Sequence, residues 1–350
     1  MKSYDAIIVG AGAGGGIVAN VLAQAGKHVL LLERGKWLKD SEIPYDHLRN
    51  HRLPLYGHNT GPDIEGNPRV AIDTLGVSRL VRPHEGGYNN NAMTVGGGTR
   101  IYGGQAWRFM PQDFRMASTY GVPAGSSLAD WPLTYEEMEP WYERAEWEVG
   151  VAGEGAANRF QGERKKDYPM PPTPDTLTRQ ALQSGAKALG WNTFPVPSLI
   201  NTVPFQGRPA CVQCKYCVGF TCPSNSKNGT HAHLIPRALE TGNCELITEA
   251  IVERVETDST GKATGVSYFV EENGTVERKT AHAKVVVISG GAIESARLLQ
   301  NSISTHHPKG IGNAHDQVGR NLQGHYYPGA VGHSEEPVYT GLGPGPSIAT

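Results

Sequence analysis

Residues 4 to 33 constrain this chain more than any other stretch. Tyr4-Asp-Ala-Ile-Ile-Val9 is short, apolar and rich in β-branched residues, the composition of a strand buried on both faces. Gly10-Ala-Gly-Ala-Gly-Gly-Gly16 follows at once. Val18, Ala19, Val21, Leu22 and Ala25 then recur at helical spacing, and Gly26 supplies the stop. Val29 to Leu32 reads as a second buried strand ending at Glu33. Gly10, Gly12 and Gly15 fit G-x-G-x-x-G: Gly10 lets the chain turn, Gly12 lets a pyrophosphate approach the helix N-terminus, and Gly15 lets the helix lie close to the strand. Glu33, 18 residues past Gly15, stands where a carboxylate accepts hydrogen bonds from ribose hydroxyls. Strand, glycine turn, helix, strand and acid in this order predict a dinucleotide site. A glycine turn used only for packing leaves Glu33 unexplained. The acid argues against a 2′-phosphate but leaves NAD and FAD both open.

A formal charge of -2 removes any bulk electrostatic case for nucleic acid or an acidic membrane. No apolar run approaches the roughly 20 residues of a membrane span. Met1-Lys-Ser leads almost directly into the first strand, which leaves no room for a secretory signal. Four of the five cysteines fall within twelve residues, unlike the dispersed framework of a secreted disulfide scaffold. The expectation is a cytoplasmic protein. Its 44 glycines in 350 residues imply many places where backbone turns tightly or approaches something closely.

Val95-Gly-Gly-Gly-Thr-Arg-Ile-Tyr-Gly-Gly-Gln-Ala-Trp-Arg108 is a second glycine concentration. With the N-terminal unit it makes the chain resemble the glucose–methanol–choline (GMC) oxidoreductases, FAD-dependent alcohol oxidases and dehydrogenases. Asp130 to Tyr142 resembles a segment of the family's bacterial sugar-oxidising branch, Val286 to Leu299 its second signature, and Val318-Gly-Arg-Asn-Leu-Gln-Gly-His325 its late FAD-domain motif. The matches run in family order to about residue 330. The resemblance implies that Gly10, Gly12, Gly15 and Glu33 hold the AMP half of FAD. It implies that Gly97, Gly98, Thr99, Gly103 and Gly104 line the pyrophosphate and isoalloxazine side, that Val252 meets adenine through its backbone, and that Gly290 and Gly291 permit close approach at another strand end. His325 is expected to be structural, near the cofactor. Some relatives attach FAD through a histidine after the glycines. Here that stretch reads Thr99-Arg-Ile-Tyr102, which predicts noncovalent FAD. Tyr102 stands where many relatives carry Asn.

Cys211-x2-Cys214-x2-Cys217-x4-Cys222 has spacings that suit an iron–sulfur cluster or zinc. The alternatives are a reduced set of thiols or one local disulfide, with Lys215 and Lys227 favouring thiolate. His231 and His233 read as surface residues, and the adjacent His306 and His307 as pointing different ways.

The fold class expected is α/β: a Rossmann-like FAD-binding domain with a mixed sheet, plus an incomplete α+β substrate domain. Residues 1–35, 85–115 and 205–330 would form the first, and 36–84, 116–204 and 331–350 the cap and partial second. Lys284 to Ser289 predicts a strand, Ile293 to Leu299 a helix after it, and Thr176 to Leu189 a helix stopped by Gly190. Thr134 and Glu137 predict a capping box, with a break and restart at Pro140 and Trp141, Ala145, Trp147 and Val149 inward. Residues 151–173 read as linker or exposed loop, and 36–90 as loop and cap.

The function expected from the resemblance is hydride transfer from a sugar or glycoside hydroxyl to flavin. No segment matches the family's C-terminal catalytic motif, so no catalytic base is assigned. The base is expected from sequence after Thr350 or from a companion chain. Two other readings stay open: a non-catalytic FAD-holding subunit or fragment, and an iron–sulfur electron-transfer flavoprotein. An NAD dehydrogenase is the remaining alternative.

Overall fold

The computed structural model describes residues 3–43, 45, 61–62, 66–73, 75–85, 88, 92–272, 274–324, 329–330, 332–339, 341–344 and 348–350. In chain order its elements are β1 (Ser3–Val9), α1 (Ala13–Gln24), β2 (Val29–Leu32), β3 (Arg69–Ile72), β4 (Ser78–Val81), α2 (Met116–Tyr120), α3 (Tyr135–Val149), α4 (Leu177–Ala188), β5 (Phe194–Pro195), α5 (Leu234–Glu240), β6 (Cys244–Ile247), β7 (Ile251–Thr257), β8 (Ala263–Glu272), β9 (Thr275–Ile288), α6 (Gly291–Asn301) and β10 (Ile348–Ala349). The chain divides into two units, one of residues 1–101, 219–221 and 229–331, the other of 102–218, 222–228 and 332–350. No helix among the described residues is long and apolar enough to cross a membrane.

The first unit is built on a six-stranded sheet in the order β6-β2-β1-β9-β8-β7. β6, β2, β1 and β9 are parallel neighbours, with Ile7 opposite Leu30 on one side and Val286 on the other. β9, β8 and β7 continue as an antiparallel meander. Parallel neighbours need a crossover, and α1 supplies it between β1 and β2. Successive β1 side chains point to opposite faces, so Ile8 joins Leu31, Ala19 and Ala23 of α1 and Ile235 and Ala238 of α5 in one core. Ile7 joins Leu30, Leu32, Val252, Val266 and Leu298 of α6 in the other. Ile7, Ile8 and Leu31 have no exposed surface, and each such side chain contributes about 2 kcal/mol by leaving water. The mixed sheet with helices agrees with the α/β expectation, and β9 extends over fourteen residues, well beyond the segment 284–289 read from sequence. The stretch 36–90 contains an antiparallel hairpin, β3–β4, with Val70 opposite Leu80. Its Val70 and Ile72 are exposed, so no buried-face alternation advertises it.

The second unit corrects two readings. α3 runs unbroken through Pro140. The capping box at Thr134 and Glu137 forms as expected, with Glu137 Oε2 accepting from Thr134 N at 2.8 Å, but the inward side of the helix is polar. Trp141 and Ala145 are exposed, and Tyr135, Glu139 and Glu146 are buried. Trp147 is half-buried, with its indole N–H donating to Asp167 O. Arg108 explains the inversion. Its guanidinium donates to both oxygens of Glu146 at 2.7 Å, to Glu139 at 3.3 Å and to the Tyr135 hydroxyl at 3.1 Å, and Arg164 donates to both oxygens of the same Glu146. A buried charge must be paired and hydrogen-bonded. This cluster holds the helix in register where the missing Pro140 N–H would otherwise favour a break. Residues 151–173 are not an exposed linker either: Val151, Ala152, Met170 and Thr173 are buried, and Ala152 bridges both Met170 and Ser198. α4 starts at the Thr176 cap and ends before Gly190, whose φ of +72° suits the glycine expected there.

Candidate functional site: a glycine-lined cleft

The end of β1 enters a turn that only glycine can make. Gly10 has φ +100°, and a Cβ on it would lie 2.4 Å from Ser289 O. A Cβ on Gly15 would lie 1.8 Å from Gly10 O, so this position lets α1 press against the turn. Gly12 differs from both: a Cβ there meets nothing within 4 Å. Gly12 also caps α1 with no side-chain oxygen, so the first N–H groups of the helix keep their capacity for an anion.

A cleft of about 1100 Å³ opens here, lined among others by Gly10, Gly12, Leu32, Glu33, Gly97, Gly98, Val252, Ser289, Gly290 and Gly291. A second helix, α6, begins at its wall, capped by Gly290 and again without a side-chain oxygen. Two helix N-termini thus contribute to the wall of one cleft. Glu33, at the end of β2, is 8% exposed. Its Oε2 accepts from Ala11 N and its Oε1 from Gly35 N, each at 2.8 Å. Burial pushes its carboxyl pKa up against those two hydrogen bonds. The Arg34 backbone N–H adds to them, and the roughly four lone-pair positions of a carboxylate leave room for a further hydrogen bond.

The second glycine loop is fastened to the first by backbone. Gly96 N donates to Ala11 O at 2.8 Å, and a Cβ on Gly97 would lie 3.1 Å from Gly12 Cα. Thr230 completes the tie: its hydroxyl donates to Gly12 O and its N–H to the Thr99 hydroxyl, both at 3.2 Å. The Thr99 hydroxyl in turn donates to Gly96 O. His231, read from sequence as a surface residue, instead fills the space beside Gly96 and Gly229, where a Cβ would meet its ring at 2.6 Å in both cases. His231 is half-buried and His233 is buried. His306 and His307 both reach the same turn, at Ser259 O and Gly261 O.

Of the residues singled out by sequence, Gly10, Gly12, Glu33, Gly97, Gly98, Val252, Gly290 and Gly291 line this cleft. Gly15 stands behind it and Thr99 is in the tie described above. Gly103 and Gly104 belong to the second unit, where Gly104 (φ +78°) packs on Ile200. His325 lies outside the described residues. Sequence reasoning missed Arg34, Glu294 and Arg297 at the cleft wall. Glu294 pairs with Arg297 at 2.7 Å, Arg69 at 3.1 Å and Arg34 at 3.5 Å. Burial alone would raise its pKa, but the arginines outweigh it and hold the carboxyl below its ordinary value. The acid three residues into α6 was a detectable signal; its arginine partners at 34 and 69 were not.

The four-cysteine run lies in the second unit. Among the described residues no three His, Cys, Asp or Glu side chains group as a metal ion requires, so the expectation of Cys211, Cys214, Cys217 and Cys222 as a cluster site finds no support in the structure. The physical reason is visible in their partners. Cys222 Sγ accepts from Lys227 N at 3.3 Å and contacts the hydroxyls of Ser224 and Ser226 at 3.4 Å. Lys227, 3% exposed, puts its ammonium on Tyr102 O and Cys217 O, where burial pushes its pKa down to about 8. A cation thus occupies the neighbourhood in which ligating thiolates would have to gather around a metal.

Comparison with known proteins agrees with this geometry. The chain matches the GMC oxidoreductase family description over residues 4–327. It is 31% identical over 352 aligned positions to the fructose dehydrogenase large subunit of Gluconobacter japonicus, covering 97% of this chain and 62% of that protein. It is 32% identical to the 2-methyl-1,2-propanediol dehydrogenase of Mycolicibacterium austroafricanum, covering 92% and 55%. Among solved structures, a formate oxidase superposes with a TM-score of 0.55 at 15% identity over 86% of this chain and 48% of that one, which shows a shared fold. The chain therefore spans roughly half to three-fifths of the length of these proteins. Its strand–glycine–helix unit, its second glycine loop and its match over residues 4–327 place it in the GMC oxidoreductase family.

Proposed function

We propose that this chain binds FAD without a covalent bond and forms the cofactor-holding part of an enzyme that oxidises a sugar or glycoside CH–OH group to a ketone. The observation that carries the reading is the cleft with two glycine-capped helix N-termini and a buried glutamate on its wall. The residues fit such a ligand. The open space at Gly12 admits a pyrophosphate onto the α1 N–H groups, and the remaining acceptor capacity of Glu33 suits a ribose hydroxyl. The backbone at Val252 suits adenine. Gly97 and Gly98 let a flat ring system pass close to the chain. Flavin, when bound, supplies the hydride acceptor.

The chain's own residues bind and orient. Thr230 and Thr99 hold the two glycine turns at a fixed separation, so the ligand meets a preformed wall. The residues from Thr99 to Tyr102 include no histidine, which supports noncovalent attachment. No residue of this chain is assigned as the base that takes the hydroxyl proton. That part, and the substrate contacts, are proposed to come from further sequence or a companion chain, in keeping with a relative named as a large subunit. This leaves one second reading in force, an FAD-holding subunit inactive by itself.

The test is direct. Purified protein mixed with FAD and desalted is expected to stay yellow, to show flavin absorbance near one equivalent, and to release the flavin on acid precipitation. Colourless protein that takes up no flavin would refute the reading. Anaerobic bleaching by fructose or a glycoside separates the complete enzyme from the flavin-holding subunit.

A further inference from the structure

We infer that Glu294 is a positioning residue of the cleft: it withholds the Arg34 guanidinium from Glu33 and so keeps the acceptor capacity of Glu33 free for a ligand hydroxyl. The inference rests on the reading that the cleft takes FAD. Glu33 and Arg34 are neighbours in the chain and both line the cleft. Backbone N–H groups hold the Glu33 oxygens, those of Ala11 and Gly35 at 2.8 Å. Glu33 is buried, and a carboxylate taken out of water gains more from a cation than an exposed one does. The Arg34 charge already acts on it. An arginine fork takes two acceptor positions of a carboxylate at once, so a pair between Arg34 and Glu33 would consume what the backbone leaves open.

The structure shows a different pairing. Arg34 Nη1 lies 3.5 Å from Glu294 Oε2. Two further arginines fix the place of that carboxylate. Arg297 Nε donates to Oε2 at 2.7 Å, one turn along α6, and Arg69 Nη2 of β3 donates to Oε1 at 3.1 Å. Arg69 is itself held, because its guanidinium donates to Tyr88 O and lies 4.2 Å from the centre of the Tyr88 ring. Glu294 is thus anchored from α6 and from β3 and turns Oε2 towards Arg34. The arginines hold it ionised at neutral pH. The acids among the residues lining the cleft are Glu33 and Glu294. When Glu294 loses its charge, Glu33 is the lining acid left for Arg34.

The test is a double-variant cycle on the full chain. Flavin-free protein is titrated with FAD at neutral pH, and urea unfolding of each variant is followed alongside. Glu294→Gln is expected to bind FAD about tenfold more weakly than the parent, and Arg34→Ala to stay within about twofold of it. The double variant Glu294→Gln/Arg34→Ala is expected to recover to within about threefold of the parent. Its urea midpoint is not expected to recover, since both variants lack the Glu294 ion pairs. A purely structural role would move binding and stability together. Glu294→Asp, which keeps the charge one methylene short, carries the same comparison if Glu294→Gln does not fold. Three results would each overturn the inference alone: Glu294→Gln that binds FAD as tightly as the parent or more tightly, a double variant as weak as Glu294→Gln, or Arg34→Ala that is itself tenfold weaker, which would make Arg34 a ligand contact. A parent protein that takes up no FAD would instead overturn the functional reading beneath it.

Discussion

The glycine cleft of the first unit and the arginine cluster of the second solve the same problem, polar groups removed from water, by opposite means. The cleft is made by leaving side chains out. Gly10, Gly12 and Gly97 expose backbone, and the N–H groups of α1 keep their hydrogen-bonding capacity for a ligand. The cluster is made by putting side chains in: Arg108, Arg164, Glu139 and Glu146 satisfy one another in the interior. A site open to a ligand needs unsaturated donors, whereas a core without a ligand needs saturated ones. The difference teaches where substitution harms binding and where it harms folding.

The largest expected effect lies in the saturated region. Arg108→Met removes the ion pair of Glu139 and, among the described residues, leaves Glu146 with Arg164 alone. Breaking a buried pair on one side costs about 3–5 kcal/mol. Urea unfolding followed by tryptophan fluorescence reads this unit, since five of the six tryptophans lie in it. A midpoint within error of the parent would show that the cluster does not organise α3.

The next effect separates two glycines of one turn. Gly12→Val points into open space at φ −79°, so it is expected to weaken flavin binding about 100-fold, ~2.7 kcal/mol, while thermal unfolding of the unliganded protein moves by less than about 2 °C. Gly15→Ala drives a Cβ onto Gly10 O and is expected to destabilise the fold by about 1–3 kcal/mol. Flavin titration and calorimetry on the pair test this. Equal loss of stability in both variants would erase the distinction between an open and a packed glycine.

The smallest effect is the pH response at the cleft wall. Glu294 has a depressed pKa in the folded state. Its ion pairs therefore add stability above its unfolded value of about 4.3, and that stability is lost as pH falls through the lower folded value. Glu294→Gln is expected to cost about 1 kcal/mol at pH 7, with the gap to the parent closing below about pH 4 in urea unfolding. A gap that persists in acid would assign Glu294 a packing role instead.

Much of the first unit was legible from residue order. Its strand–glycine–helix unit is written in one short stretch, where Gly15 meets Gly10 and Glu33 meets Ala11 within 22 positions, although Gly10 also needs its glycine because of distant Ser289. Helix α3 was not legible, because its buried side faces Arg108, 27 to 38 positions away, and an apolar-periodicity argument takes Trp141 as inward. His231 was misread for the same reason: the space it fills belongs to Gly96, which is adjacent only in three dimensions. The cysteine spacing was legible as a cluster of sulfur, but the hydroxyls and the ammonium that now satisfy it were not.

Local sequence determined the strand–turn–helix that begins this protein, the position of the acid that follows it and membership of its family, because periodicity and glycine act over a few residues. Only the tertiary structure decided which glycines stay open, which charges are neutralised inside and which thiol the serine hydroxyls meet. Those outcomes depend on the desolvation of groups far apart in the chain, and burial is a property of the packed molecule.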